Sequence, residues 1–163
     1  EELYACRWNM IFAILGINEN GVEFENIFYS HLTESAEPVD GANDLLEYLS
    51  KKYTVCAASN ASYEQQIRRL DNAGMTKYLD KIFISEQLGY SKPQKEFFDK
   101  CFAEIAPILP CETVMIGDSL TADIEGGARC GMKTCWYDHN ASGISSPLPD
   151  ITVTSLGEIK KYF

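Results

Sequence analysis

The sequence predicts an α/β fold, a doubly wound and mostly parallel sheet with a pair of helices ahead of it. Two observations carry that expectation. From Gly41 onward, short apolar runs alternate with amphipathic stretches, the pattern of strands that each feed a helix. Several of those runs end at serine, glycine or aspartate, the residue types that open α/β sheets place at the ligand-binding ends of their strands.

The chain opens in a helical pattern. Tyr4, Trp8, Ile11, Phe12 and Leu15 recur at steps of three and four and mark one apolar helix face. Gly16 and the run N-E-N-G at 18–21 break it. Val22, Phe24, Ile27, Phe28 and Leu32 form a second stripe, so the two helices are expected to pack antiparallel. The polar, proline-bearing connector 33–41 is expected to mark a boundary, with residues 1–36 on one side and 37–163 on the other. Ala42, Leu45, Leu46 and Leu49 make the next helix face. A strand is expected over 53–58, ending in Ser59-Asn60-Ala61. Ser62 with Gln65 reads as a capping box for a helix that passes Ile67 and Leu70 to Gly74.

A strand over 82–84, a loop over 85–92 and a helix over 94–105 follow. The Pro107…Pro110 segment then leads to an apolar strand at 113–116, broken by Gly117-Asp118. Ser119 or Thr121 is expected to cap the next helix, with Asp123 and Glu125 in its first turn. Gly126, Gly127 and Ala128 keep one face of that helix small enough to lie close to a sheet, and Gly131 ends it. The rest reads as a strand at 133–137, a loop at 138–149, a strand at 151–153 and a closing helix opened by Ser155 with Glu158.

Composition limits the function classes. Hydrophobic residues at 45% and aromatics at 12% supply a packed core. A formal net charge of −10 argues against a nucleic-acid binder, since no lysine and arginine surplus exists to displace counterions. An acidic protein that holds a small phosphate ester needs local help from a cation, a lysine or backbone N–H groups. No apolar run approaches the roughly 20 residues of a membrane span, and no signal-peptide pattern is evident. Cys6, Cys56, Cys101, Cys111, Cys130 and Cys135 form no C-x-x-C pair, so they are expected to be free thiols in a reducing, cytoplasmic setting. His31 and His139 lack metal-ligand spacing and are expected to have no chemical role.

Three places then stand out, each at or just after the carboxyl end of an expected strand: Ser59-Asn60, Ser91-Lys92-Pro93 and Gly117-Asp118. Parallel strands aim these ends at one edge, where a hydroxyl, an ammonium and a carboxylate would converge. That trio suits phosphoryl transfer, with the hydroxyl on phosphate oxygens, the lysine offsetting charge and the carboxylate on a hard cation.

The segments T-V-C-A-A-S-N-A-S, G-Y-S-K-P-Q-K-E-F-F and V-M-I-G-D-S-L-T-A-D-I-E-G-G-A-R-C-G-M-K-T together resemble motifs two, three and four of the haloacid dehalogenase superfamily. Finer features, among them Asp40-Gly41-Ala42, Arg69-Leu70, Ile82-Phe83-Ile84-Ser85-Glu86 and Lys92-Pro93 with Phe97-Phe98, resemble its pyrimidine 5′-nucleotidase branch. The resemblance implies a Rossmann-like core over 37–163, with residues 1–36 the latter part of a helical cap. It implies a Mg²⁺-dependent phosphatase of small phosphate esters, with nucleoside monophosphates as candidates. No nucleic-acid polymer or membrane partner is implied.

On these residues, the resemblance makes Ser59 the hydrogen-bond partner of the transferring phosphoryl group, with Asn60 beside it shaping the phosphate cup. Lys92 would neutralise phosphate and nucleophile. Asp118 would ligate Mg²⁺, and Asp123 would order the metal's water shell or Lys92. The superfamily's first motif, a strand ending in D-x-D whose first aspartate is the nucleophile, is absent upstream of Ser59, where the only aspartates are Asp40 and Asp44. That strand would lie between those ending at Ser59 and Asp118, so the sheet is expected to be split there, with apolar edges exposed. Two alternatives stay open: phosphate and metal binding without turnover, and a metal-free dehalogenase on the same scaffold.

Overall fold

The computed structural model describes residues 2–143 and 149–163, with side chains from Cys6 onward, so the Tyr4 side chain of the first stripe and residues 144–148 of the long loop lie outside it. Its strands are all parallel, and they form two sheets rather than one. Strand β1 (Cys56–Ser59) pairs with β2 (Lys81–Ile84) from Cys56 opposite Lys81 to Ser59 opposite Ile84. Strand β3 (Val114–Gly117) pairs with β4 (Lys133–Tyr137), and β4 with β5 (Ile151–Val153), in the order β3-β4-β5. The expected split is there, and it falls between β1 and β3.

The gap is apolar. A cavity of about 670 Å³ runs between the two sheets, lined by Val55 and Ala57 beside Val114 and Ile116, with Phe97 and Met132 at its walls. Each sheet has its own packed cluster. Leu45 and Leu49 of α3 (Ala42–Ser50) cover Cys135, Val153 and Ile159 of the three-stranded half. Phe97, Phe98 and Cys101 of α6 (Lys95–Glu104) cover Phe83, and Met115 reaches across from β3 to join them. Each fully buried side chain here, such as Phe97 or Ile84, contributes about 1.5–3 kcal/mol.

The opening helices are α1 (Glu2–Leu15) and α2 (Gly21–Glu34), held by rings: Trp8 meets Phe24 and Phe28 edge-on, and Phe12 meets Phe24. The stripes are only partly buried, because Ile11, Leu15, Val22 and Ile27 remain exposed on the pair. Arg7 and the Trp8 indole both donate to the Glu25 carboxylate, which closes the charged end of the contact. The pair meets the rest of the chain at α4 (Tyr63–Asn72), through a Tyr29–Ser62 hydroxyl contact of 2.9 Å and an Arg68–Glu34 ion pair of 2.7 Å.

Several local expectations give way to particular hydrogen bonds. The first strand starts at Cys56 rather than at residue 53, because Asp80 takes the Val55 N–H on its carboxylate and donates its own N–H to Val55. Ser62 occupies the N-cap of α4, but its hydroxyl goes to Tyr29. Glu86 accepts from Tyr63 N at 2.7 Å instead, so no Ser62–Gln65 box forms. The stretch expected as loop carries one helical turn, α5 (Ser85–Leu88), closed by Gly89 at φ 76°. Ser155 precedes α8 (Leu156–Ile159) without a side-chain cap, and Glu158 bonds Thr154 N at 3.0 Å. Among the described residues no helix is long and apolar enough to cross a membrane.

A strand with one unpaired edge exchanges its outward amide hydrogens faster than a strand paired on both sides. Hydrogen exchange by NMR is therefore expected to find β4 slowest, with alternate amides of β1 and β3 exchanging faster. Uniform protection across β1, β3 and β4 would contradict an open gap.

Candidate active site

The strand ends do converge. Lys92, in the turn before α6, places its ammonium 2.6 Å from the Ala58 carbonyl of β1 and 2.6 Å from Asp123 Oδ1. Both side chains are nearly dry, at 9% and 7% exposure. The second Asp123 oxygen accepts the Ser119 N–H at 3.1 Å, next to Asp118. One lysine and one aspartate thus tie the end of β1 to the loop after β3, across the gap between the sheets.

The segment after β3 is shaped for this. Ser119 caps it as expected, its hydroxyl accepting from Ala122 N at 3.1 Å. The chain then makes a wide π-helical turn over Leu120–Glu125, in which the Ser119 carbonyl receives N–H groups from both Asp123 and Ile124. That turn puts Asp123 inside, at 5% exposure, directly against Gly117. A Cβ at Gly117 would lie within 2.6 Å of the Asp123 Cβ, so only glycine lets the carboxylate sit there.

Helix α7 (Gly126–Arg129) follows, and the small-face expectation holds for two of its three residues. Gly126 is packed against Phe98 and Pro93, and Gly127 against Met115. Ala128 is exposed, because three consecutive helical residues sweep about 200° and cannot share one face.

Ser59 ends β1, and its hydroxyl oxygen accepts from Ala61 N at 3.1 Å, leaving the hydroxyl hydrogen free to donate to a ligand. Asn60 bonds the Lys92 main chain twice, its Nδ2 donating to the Lys92 carbonyl and its Oδ1 accepting the Lys92 N–H, both at 2.9 Å. Asp118 is exposed, and its carboxylate has no protein partner among the described residues. That suits a hard cation, which binds through one or two carboxylates and completes its shell with water and phosphate. Asp118 fits such a metal as one ligand. Asp123 places one oxygen on the Lys92 ammonium and the other on the Ser119 N–H, and each oxygen keeps a second lone pair. No cluster of three metal-ligating side chains exists among the described residues.

Three further residues, given no role at the site by the sequence, help to build it. Trp136 donates its indole N–H to the Asp118 carbonyl at 2.9 Å and so pins the acidic loop from β4. The signal was present, since a tryptophan in a buried strand needs a partner for its N–H. Glu86, directly after β2, holds the start of α4 beside the Ser59 loop, and Tyr29 reaches the same loop from α2. The two buried cysteines are poor nucleophiles. All six are free, and burial pushes the Cys101 thiol up to about 12 and Cys135 to about 11.

Comparison with known proteins agrees with this fold. The sequence pattern of the family described as haloacid dehalogenase-like hydrolase matches residues 2–137. Pyrimidine 5′-nucleotidase PynA of Streptococcus pneumoniae is 34% identical over 161 residues, covering 98% of this chain and 68% of the relative. Pyrimidine 5′-nucleotidase YjjG of Escherichia coli is 29% identical over 146 residues, 89% of this chain and 65% of the relative. The solved structure of the HAD-hydrolase YfnB of Bacillus subtilis, bound to magnesium, superposes with a TM-score of 0.89 at 31% identity, covering 99% of this chain and 70% of that one. The chain thus spans about two thirds of the length of these relatives.

Gly117→Ala is expected to destabilise the protein by about 1–3 kcal/mol, since overpacking at this contact must push Asp123 off Lys92. Chemical denaturation measures it. A stability within error of wild type would contradict the tight approach.

Proposed function

Because the chain belongs to the haloacid dehalogenase-like hydrolases, we propose that it forms the phosphate- and metal-holding part of a Mg²⁺-dependent phosphatase acting on small phosphate esters. The observation that carries this reading is the buried Lys92 ammonium held between Ala58 and Asp123, beside a Ser59 hydroxyl whose hydrogen is free to donate and an Asp118 carboxylate with no partner among the described residues. Positive charge, a donor and a hard-metal ligand on one edge match what a phosphoryl group needs and little else. A dehalogenase would leave the Asp118 carboxylate without a use.

In this reading residues 37–163 are the α/β core and residues 1–36 part of a cap beside the site. Ser59 donates to a phosphoryl oxygen. Lys92 offsets the charge that builds on the phosphoryl oxygens during transfer. Asp123 keeps the ammonium aimed, and Asp118 holds the cation. Mg²⁺, when bound, would supply charge neutralisation of the phosphate. The route implied for this family passes the phosphoryl group to an aspartate on a strand ending in D-x-D. These 163 residues contain no such strand, and the apolar gap between β1 and β3 is where it fits. By themselves the 163 residues are therefore expected to bind phosphate and Mg²⁺ without turnover. Nucleoside monophosphates are the substrate class to test first, given the names of PynA and YjjG. The free thiols fit a cytoplasmic enzyme.

Phosphate release from a panel of nucleoside monophosphates and sugar phosphates, with and without Mg²⁺, tests this in the intact protein. Asp118→Ala is expected to abolish metal-dependent turnover, and Lys92→Ala to lower kcat by about 10²-fold or more while changing KM little. Full activity in Asp118→Ala, or turnover indifferent to Mg²⁺, would remove the metal from the account.

A further inference from the structure

We propose that Asn60 is a positioning residue that acts through Lys92 and not a ligand of the substrate; this rests on the phosphatase reading above. The side-chain amide faces the Lys92 peptide groups with both ends, Oδ1 to the N–H and Nδ2 to the carbonyl, each at 2.9 Å. That reciprocal pair fixes the orientation of the amide, since a flipped Asn60 would set donor against donor and acceptor against acceptor. It also fixes the Lys92 backbone at the point where its side chain leaves it.

The consequence is a closed set of restraints on one ammonium. Its far end is held by Ala58 O and Asp123 Oδ1, and its near end by Asn60. Asn60 and Ala58 flank Ser59, so the β1 loop grips the lysine at both ends of its side chain and presents its own hydroxyl between them. The spacing of the Ser59 hydroxyl and the Lys92 ammonium is therefore set by one short loop. Freeing a four-carbon side chain costs rate where its head must stay at the point that phosphate charge develops. Asn60 is exposed, so losing its two hydrogen bonds to water leaves the core intact and changes mainly the mobility of Lys92.

The test uses the intact protein with Mg²⁺ and p-nitrophenyl phosphate, comparing Asn60→Ala, Lys92→Ala and the double variant. Asn60→Ala is expected to lower kcat about tenfold with KM changed less than twofold. The double variant is expected to match Lys92→Ala alone, because a positioning residue has nothing left to position. Hydrogen exchange at the Lys92 amide is expected to speed up in Asn60→Ala while the melting temperature stays within a few degrees. Losses that multiply in the double variant, or a rise in KM with kcat intact, would overturn the proposal in favour of direct substrate contact.

If the wild-type protein hydrolyses no ester, the phosphatase reading fails. The positioning role is then decided by inorganic phosphate, titrated by NMR. Weaker binding in Asn60→Ala with no further loss in the double variant sustains it, and unchanged binding overturns it.

Discussion

The Lys92 ammonium lies between a main-chain carbonyl of one sheet and a carboxylate that follows the edge strand of the other, with almost no access to water. No strand pairing joins the two sheets, and the space between them is an apolar cavity. The ion pair is thus a polar tie across the gap, aided by Met115 below it and by the glycine contacts of α7. Removing one member of such a pair strands a buried charge, at a cost of about 3–5 kcal/mol. The same bond that holds the halves together also places the cation where a phosphate would sit. In the proposed reading, stability and function draw on one interaction.

That interaction imposes requirements on residues that carry no chemistry. Asp123 can reach Lys92 only because Gly117 leaves room and because the turn after Ser119 is wide enough to send residue 123 inward. Gly126 and Gly127 then let the chain settle against Phe98 and Met115, which brings the Lys92 turn and the β3 loop to the same depth. Trp136 fixes the Asp118 carbonyl, so the exposed carboxylate is presented from an anchored backbone. Small residues, a wide turn and one indole are what convert three separate strand ends into a site.

Much of this was legible in the sequence. The strands at 133–137 and 151–153 were found to the residue, because their apolar runs are bounded by glycine, proline and aspartate. Ser59, Lys92 and Asp118 were legible through their place after apolar runs, a position the parallel sheet turns into a common edge. What escaped depended on contacts between distant segments. Whether Ser62 caps its helix depends on Tyr29, 33 residues away, and the start of β1 depends on Asp80. The double bond from Asn60 to Lys92 spans 32 residues, and periodicity contains no trace of it. Ile11 and Leu15 share the helical stripe of Trp8 and Phe12 by spacing, yet both stay exposed on the helix pair.

The central claim is that the edge formed by Ser59, Lys92 and Asp118 holds a phosphoryl group and Mg²⁺ together. A crystal structure of the intact protein with Mg²⁺ and orthovanadate tests it most directly. The account predicts Mg²⁺ on the Asp118 carboxylate, vanadate oxygens within hydrogen-bond reach of Lys92 Nζ and Ser59 Oγ, and a strand seated between β1 and β3. Vanadate bound away from Lys92, or Mg²⁺ held without Asp118, would contradict it.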